Sequence, residues 1–254
     1  MCTVTIQRTP ERYRVTMNRD ELRSRGQEIS PCVHTSSDTV WAGPIDSDAG
    51  GTWIGTNEHG LTACLLNAYF PIGSAPESIQ RGAKSRGVII PDLLAHASFH
   101  ECESWLDTSL DPTEFAGFML VVVSADACAH FLWPGRGALE RIPHDDEWTC
   151  LTSSFIDSTD AEAWRYSAFQ SWVDSGSISD HDLPRFHLQQ DEGKESLSPL
   201  MDRDYSVTRS ITQVNAMADE TLVRYWSNPA PNTDTSRPTT ALSLPRSASL
   251  RTHQ

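Results

Sequence analysis

Residues 2 to 8 alternate strictly, with Cys2, Val4 and Ile6 on one side and Thr3, Thr5 and Gln7 on the other. That two-residue period is the mark of a half-buried strand. Thr9-Pro10-Glu11 breaks the run, and Tyr13-Arg14-Val15-Thr16-Met17 resumes it, so the chain opens with a hairpin. A leading hairpin commits the fold to a sheet whose apolar face must pack on a second layer. It also carries Asn18-Arg19-Asp20-Glu21 back toward Cys2.

The rest of the chain supplies that second layer. Residues 22 to 50 are polar and rich in Ser, Asp, Pro and Gly, and read as an irregular excursion over the surface. Residues 52 to 56 and 61 to 67 are strands around an Asn57-Glu58-His59-Gly60 turn, with Gly60 suited to a positive φ. On the second of these strands Leu61, Ala63, Leu65 and Asn67 share a face. Residues 88 to 99 have helical spacing, with Pro91 early in the helix and a short helix expected near 102 to 106. Residues 118 to 124 and 128 to 133 pair as strands, and 138 to 142 add another. A helix runs from Asp160 to Val173, and Ser179 or Asp180 opens a weaker one. Residues 205 to 214 and 221 to 226 are the last strands, with Val207, Arg209 and Ile211 on one stripe. From 227 to 254 Pro, Ser, Thr and Asn dominate without periodicity, which predicts a disordered tail behind a single domain of residues 1 to 226. Hairpins outnumber βαβ units, so the class is α+β: antiparallel sheets with helices packed outside.

A net charge of -14 repels phosphate backbones and acidic membranes, which excludes nucleic acid as a partner. The longest apolar run, 115 to 133, is broken by Ser124, Asp126 and His130 and is β-branched at its centre, so it reads as two buried strands and not as a membrane span. The cysteines at 2, 32, 64, 102, 128 and 150 form no Cys-x-x-Cys pair and follow no secretory signal. They read as reduced thiols of a cytoplasmic protein.

Cys2 is the residue with the most distinctive chemical position. If Met1 is removed, one residue carries both a thiol and an α-amine, and an amine titrating near ~8 can take the thiol proton without a His or Asp partner. Other signatures are missing: no Gly-x-Ser-x-Gly elbow, no Walker loop and no His-Glu-x-x-His occurs. His96, His100 and Cys102 make only a weak zinc set, so neither a metal nor a cofactor is expected.

The ordered set Met1-Cys2-Thr3, Asn18-Arg19-Asp20-Glu21, residues 50 to 60 from Gly50-Gly51-Thr52-Trp53 to His59-Gly60, and Leu66-Asn67 resembles the NRDE protein family, also called the transport and Golgi organization 2 family. Ser85-Arg86-Gly87 and Thr208-Arg209-Ser210 extend the resemblance to about residue 226. Through that family the chain is similar to the N-terminal nucleophile hydrolases, in particular choloylglycine hydrolase and penicillin V acylase. The resemblance implies a four-layer αββα sandwich and an amide (C-N) hydrolase whose nucleophile is Cys2. It further implies an oxyanion donor in Asn67, an orienting carboxylate in Asp20, and cations in Arg19 and Arg209. Asn18, Trp41, Trp53 and Ser153 are the candidate substrate contacts, and the loops near Trp41, Tyr69 and Phe70 suggest an apolar acyl or planar ligand.

Two departures from the acylases are visible. Their Arg-Asn-x-Asp reads Met17-Asn18-Arg19-Asp20 here, leaving Arg19 either catalytic or a structural ion-pair partner. At Leu151-Thr152-Ser153-Ser154 the family commonly has Leu-Ser-Asn and the acylases place another Asn nearby, whereas this chain carries Ser153. The same resemblance offers an alternative, a non-catalytic protein that binds or traffics haem or another hydrophobic ligand, for which His34, His59 and Cys2 are the candidate ligands. In either reading the partner is a small molecule. The sequence fixes no oligomeric state.

Overall fold

The computed structural model describes residues 2–68, 82–154, 158–176 and 185–247. Two antiparallel sheets dominate it. Strands β1 (Cys2–Arg8) and β2 (Tyr13–Leu22) form the expected hairpin, with Cys2 opposite Arg19 and Val4 opposite Met17. They join β10 (Trp148–Ser153), β11 (Ser206–Ala216), β12 (Glu220–Ser227) and β13 (Thr240–Pro245) in a six-stranded sheet of order β10-β1-β2-β11-β12-β13. The second sheet has seven strands in the order β3-β4-β5-β6-β7-β8-β9. These are β3 (Ile29–Ser36), β4 (Thr39–Ile45), β5 (Ile54–Asn57), β6 (Thr62–Asn67), β7 (Phe118–Val123), β8 (Cys128–Trp133) and β9 (Glu140–Pro143).

Three packed interfaces follow from the alternation of side chains. Between the sheets, Val4, Ile6, Tyr13, Val15 and Met17 meet Ile54, Cys64, Leu66, Val121 and Val123. On the far side of the seven-stranded sheet, Leu61, Ala63, Leu65, Leu120 and Val122 pack on helices α1 (Ile89–Leu93) and α2 (Phe99–Thr108). On the far side of the six-stranded sheet, Trp148 and Cys150 pack on Phe169 and Trp172 of helix α3 (Ser158–Asp174) and on Phe186. The layers are thus helix, sheet, sheet, helix, the α+β sandwich expected.

Several expectations are corrected. Residues 22 to 50 are not an irregular excursion, since β3 and β4 form a hairpin there through Ser37 and Asp38, both at positive φ (46° and 70°). Such a turn matches strand twist, but β3 is an edge strand with Val33 and Ile29 about half exposed, so it shows no apolar alternation. Strand β10, which pairs along β1, is an addition to the strands expected from the sequence. The helix expected over 88 to 99 is α1 alone, and α2 begins separately where the Ser98 hydroxyl accepts from the Glu101 N–H. The weaker helix opening at 179 or 180 begins outside the described residues, as do Tyr69 and Phe70. Its described end is a 3-10 turn over Arg185–Leu188.

The tail expected to be disordered from 227 carries β13, an edge strand with Leu244 as its buried anchor. Beyond it Arg246 donates to the carbonyls of Met217 and His59, and the Ser247 N–H donates to the Glu58 carbonyl, tying the residues just after β13 to the β5–β6 turn. Backbone pairing and one buried leucine hold this segment, which explains why composition concealed it. Gly60 in that turn has φ 75°, as expected.

Among the described residues, no helix is long and apolar enough to cross a membrane. Gly51 lies against the backbone of Gly87, and a Cβ there would meet the Gly87 carbonyl carbon at 2.5 Å. Backbone cannot rotate out of the way as a side chain does. Gly51→Ala is therefore expected to lower unfolding free energy by about 2 kcal/mol or more, measured by chemical denaturation. An unchanged midpoint would show that the 51–87 contact relaxes freely.

Candidate functional site

Cys2 begins β1 and is paired on both sides, opposite Ser153 of β10 and Arg19 of β2. Directly opposed residues on antiparallel strands point to the same face at spacings near 5 Å. Ser153, Cys2 and Arg19 therefore form a row on the inner face of the six-stranded sheet, with Ser210 of β11 continuing it beyond Arg19. Cys2 is 7% exposed and belongs to the inter-sheet core. Burial pushes its thiol up, against the pull of the positive N-terminus, a backbone hydrogen bond from Asp20 and the charge of Arg19. The resting sulfur is consequently protonated.

Arg19 lies 4.2 Å over the ring of Trp53, the residue just before β5 of the opposing sheet. Its guanidinium is 3.0 Å from Asp46 and 3.6 Å from both Glu21 and Glu28. Arg209 reaches the same Glu28 at 3.4 Å and donates to the Arg25 carbonyl, while the Tyr225 hydroxyl donates to Glu28 at 2.9 Å. The expected stripe of Val207, Arg209 and Ile211 is broken: the β2–β11 register shifts between Thr208 and Ser210, leaving Arg209 in a bulge. Arg209 is thereby turned toward Glu28, an ion pair the sequence did not reveal. The Trp53 indole N–H and the Ser153 hydroxyl are both buried, and neither has a hydrogen-bond partner among the described residues.

On the opposite face of the same strands lies a polar layer that is equally buried. The expectation of a half-buried first hairpin is corrected here, because Thr3, Thr5, Thr16, Asn18 and Asp20 are all at most 4% exposed. They face α3 and the segment that follows it. Asp20 accepts from the Thr208 hydroxyl at 2.6 Å and pairs with Arg165 of α3 at 3.3 Å. Burial raises its carboxyl pKa, opposed chiefly by Arg165 and the N-terminus. Asn18 is committed elsewhere: its amide donates to the carbonyls of His187 and Pro199, and its oxygen lies 2.6 Å from His187 Nδ1. That fixes the imidazole as the Nδ1–H tautomer, with Nε2 accepting from the Thr5 hydroxyl at 2.6 Å. Asn18 is thus spent on structure and faces away from the thiol.

The structure therefore gathers Cys2, Arg19, Trp53 and Ser153 on one face and places Asp20 on the other. Trp41 belongs to the helix-side core of the seven-stranded sheet, stacked on His34 at 4.2 Å. Asn67 ends β6 opposite Phe118, and alternation puts it with Leu61, Ala63 and Leu65. Cys64, earlier on the same strand, is close enough to Cys2 that charge on Cys2 opposes its ionisation, although burial is the main reason its thiol is pushed up. His59 lies in the β5–β6 turn, away from His34 on β3. Among the described residues no group of three His, Cys, Asp or Glu side chains is arranged to hold a metal ion, and the Cys102 thiol points at the Leu93 carbonyl. Sequence reasoning missed Arg165, Glu28 and His187. Only Arg165 gave a signal, as a charged residue one position after Trp164 on the expected helix.

The sequence profile of the transport and Golgi organisation 2 family matches residues 1–225. No curated protein matches the chain. Among solved structures, an N-acylethanolamine-hydrolyzing acid amidase ortholog from Caenorhabditis elegans aligns with a TM-score of 0.58 at 14% identity, over 84% of this chain and 92% of that one. A variant of conjugated bile acid hydrolase from Clostridium perfringens aligns with a TM-score of 0.54 at 12% identity, over 96% and 92%. At such identities the likeness is one of fold, that of the N-terminal nucleophile hydrolases.

Burial lowers the His187 pKa to about 3, so the fold holds the ring neutral while an unfolded chain protonates it near pH ~6.5. The unfolded state then binds the extra proton, and stability is full above pH ~6.5 and falls as pH drops toward 3, at up to about 1.4 kcal/mol per pH unit. Denaturation from pH 7 to 4 is expected to show that slope, and His187→Gln to reduce it by about one proton. Equal slopes in both proteins would contradict a neutral His187.

Proposed function

The chain belongs to the transport and Golgi organisation 2 family, and from that premise we propose that it is an amide hydrolase whose nucleophile is Cys2 once Met1 is removed. The observation that carries the reading is the row Ser153, Cys2, Arg19 at the head of the first strand, with Asp20 behind it. In this reading the two neighbours on β2 divide the work. Arg19 shares the thiol's face and favours developing negative charge on sulfur, whereas Asp20 approaches the amine from the other face. A backbone nitrogen lies in the plane of the sheet, so a side chain on either face can reach it.

The α-amine takes the thiol proton as sulfur attacks the amide carbonyl, forming a C–S bond and a tetrahedral oxyanion. The buried Ser153 hydroxyl, which lies beside Cys2 and has no hydrogen-bond partner among the described residues, is a donor to that oxyanion. Collapse breaks the C–N bond, the ammonium proton passes to the leaving nitrogen, and water activated by the same amine hydrolyses the thioester to acid. Arg209 acts at one remove, sharing Glu28 with Arg19. The substrate is a small-molecule amide met in the cytoplasm.

Intact mass and N-terminal sequencing are expected to show Cys2 as the first residue. A β-lactone or activated amide should then acylate the wild type at Cys2. Cys2→Ala should not react, and Cys2→Ser should react at least about a hundredfold more slowly. A retained Met1, or equal labelling of Cys2→Ala, would sink the proposal.

A further inference from the structure

Arg165 is a guanidinium with 0% exposure on a helix that could have filled the same space with an apolar side chain. Its Nε donates to the Leu197 carbonyl at 3.0 Å. One terminal nitrogen, Nη1, donates to the Thr3 hydroxyl at 2.8 Å and to the Thr152 hydroxyl at 3.2 Å, and the other, Nη2, meets Asp20 at 3.3 Å. Thr152 in turn donates to the backbone carbonyl of Cys2 at 3.2 Å.

Such burial is expensive. Taking a cation and a carboxylate out of water costs several kcal/mol per ion, and replacing a buried pair by apolar groups is often neutral or stabilising. The single 3.3 Å contact with Asp20 is not the bidentate geometry that best offsets that cost. Fold stability therefore calls for hydrogen-bond donors to Thr3, Thr152 and Asp20 but does not by itself call for a buried full charge. Its contacts give an account of that charge, because every side chain it touches lies next to Cys2 or on the strand paired with it.

We propose that Arg165 is a positioning residue for Cys2, fixing the carbonyl end of that residue through Thr152 and the amine end through Asp20. The inference rests on the reading of Cys2 as an N-terminal nucleophile. The arrangement has an electrostatic side as well. A lone buried carboxylate beside the amine would stabilise the ammonium and remove the base; paired with Arg165, Asp20 orients the amine while most of its charge is balanced. The charged and titratable groups facing Cys2 and this pair are Arg19 on β2, Cys150 on β10, Cys64 on β6, and Glu162 on α3. Burial pushes the Cys64 and Cys150 thiols up, and Arg19 is matched by Asp46 and Glu28.

The test is the pH dependence of Cys2 acylation by a β-lactone, in full-length protein with Met1 removed. Arg165→Met is expected to move the midpoint of the acid limb upward by at least about one pH unit. Arg165→Lys should move it less, and Asp20→Asn combined with Arg165→Met should return it to the wild-type position at a reduced rate. Thr152→Val breaks only the link to the carbonyl, and should slow acylation about tenfold with the midpoint unmoved. Folding is checked by circular dichroism and melting, and Arg165→Lys replaces Arg165→Met if the latter does not fold. A wild type that acylates while the Arg165 midpoint stays in place, or a Thr152→Val rate equal to wild type, overturns this proposal alone. A wild type that is not acylated at any pH overturns the hydrolase reading and this inference with it.

Discussion

The six-stranded sheet buries polar residues on one face and apolar residues on the other, and the molecule depends on satisfying the polar one. Thr3, Thr5, Thr16, Asn18, Asp20 and Gln213 lie under α3 and the segment after it with almost no access to solvent. Each such group would cost roughly 1 to 3 kcal/mol if left without a partner. Arg165 and His187 supply most of the partners: the first serves Thr3, Thr152 and Asp20, the second Thr5 and Asn18. The outer helical layer is therefore a set of matched donors and acceptors that fixes where the first strand begins.

That constraint explains which parts of the structure were legible in the sequence. Period-two alternation located β1, β2, β6, β7 and β8, because apolar residues on those strands face a core. The Gly60 turn was equally plain, since its chemistry is local. Alternation failed for β3 and β13, edge strands with few buried apolar side chains, and for β10, whose Trp148-Thr149-Cys150-Leu151 run was not read as a strand. It also assigned the polar face of β1 to solvent. Period alone cannot distinguish a face wetted by water from one satisfied by a buried arginine and a histidine.

The candidate site was legible in its members more than in its geometry. Cys2, Arg19, Trp53 and Ser153 converge, but the pairing that unites Ser153 with Cys2 depends on β10, some 150 residues away. Arg209 illustrates the opposite case. Its stripe looked regular, and a bulge opposite Arg19 and Asp20 turned it toward Glu28. The adjacency of Arg19 and Asp20, which looked like a conflict for a strand, becomes intelligible once both faces of the sheet are buried: one neighbour addresses the sulfur side and the other the helix side.

The pairing of β1 between β2 and β10 also bears on how the chain is made. At about 5 to 20 residues per second, the ribosome delivers residues 148–153 many seconds after the first hairpin has left the exit tunnel. One edge of β1 is unpaired throughout that interval, and the strands that complete its sheet, β11 to β13, come later still. The start of β1 is thus enclosed only when β10 and the later strands have joined the sheet.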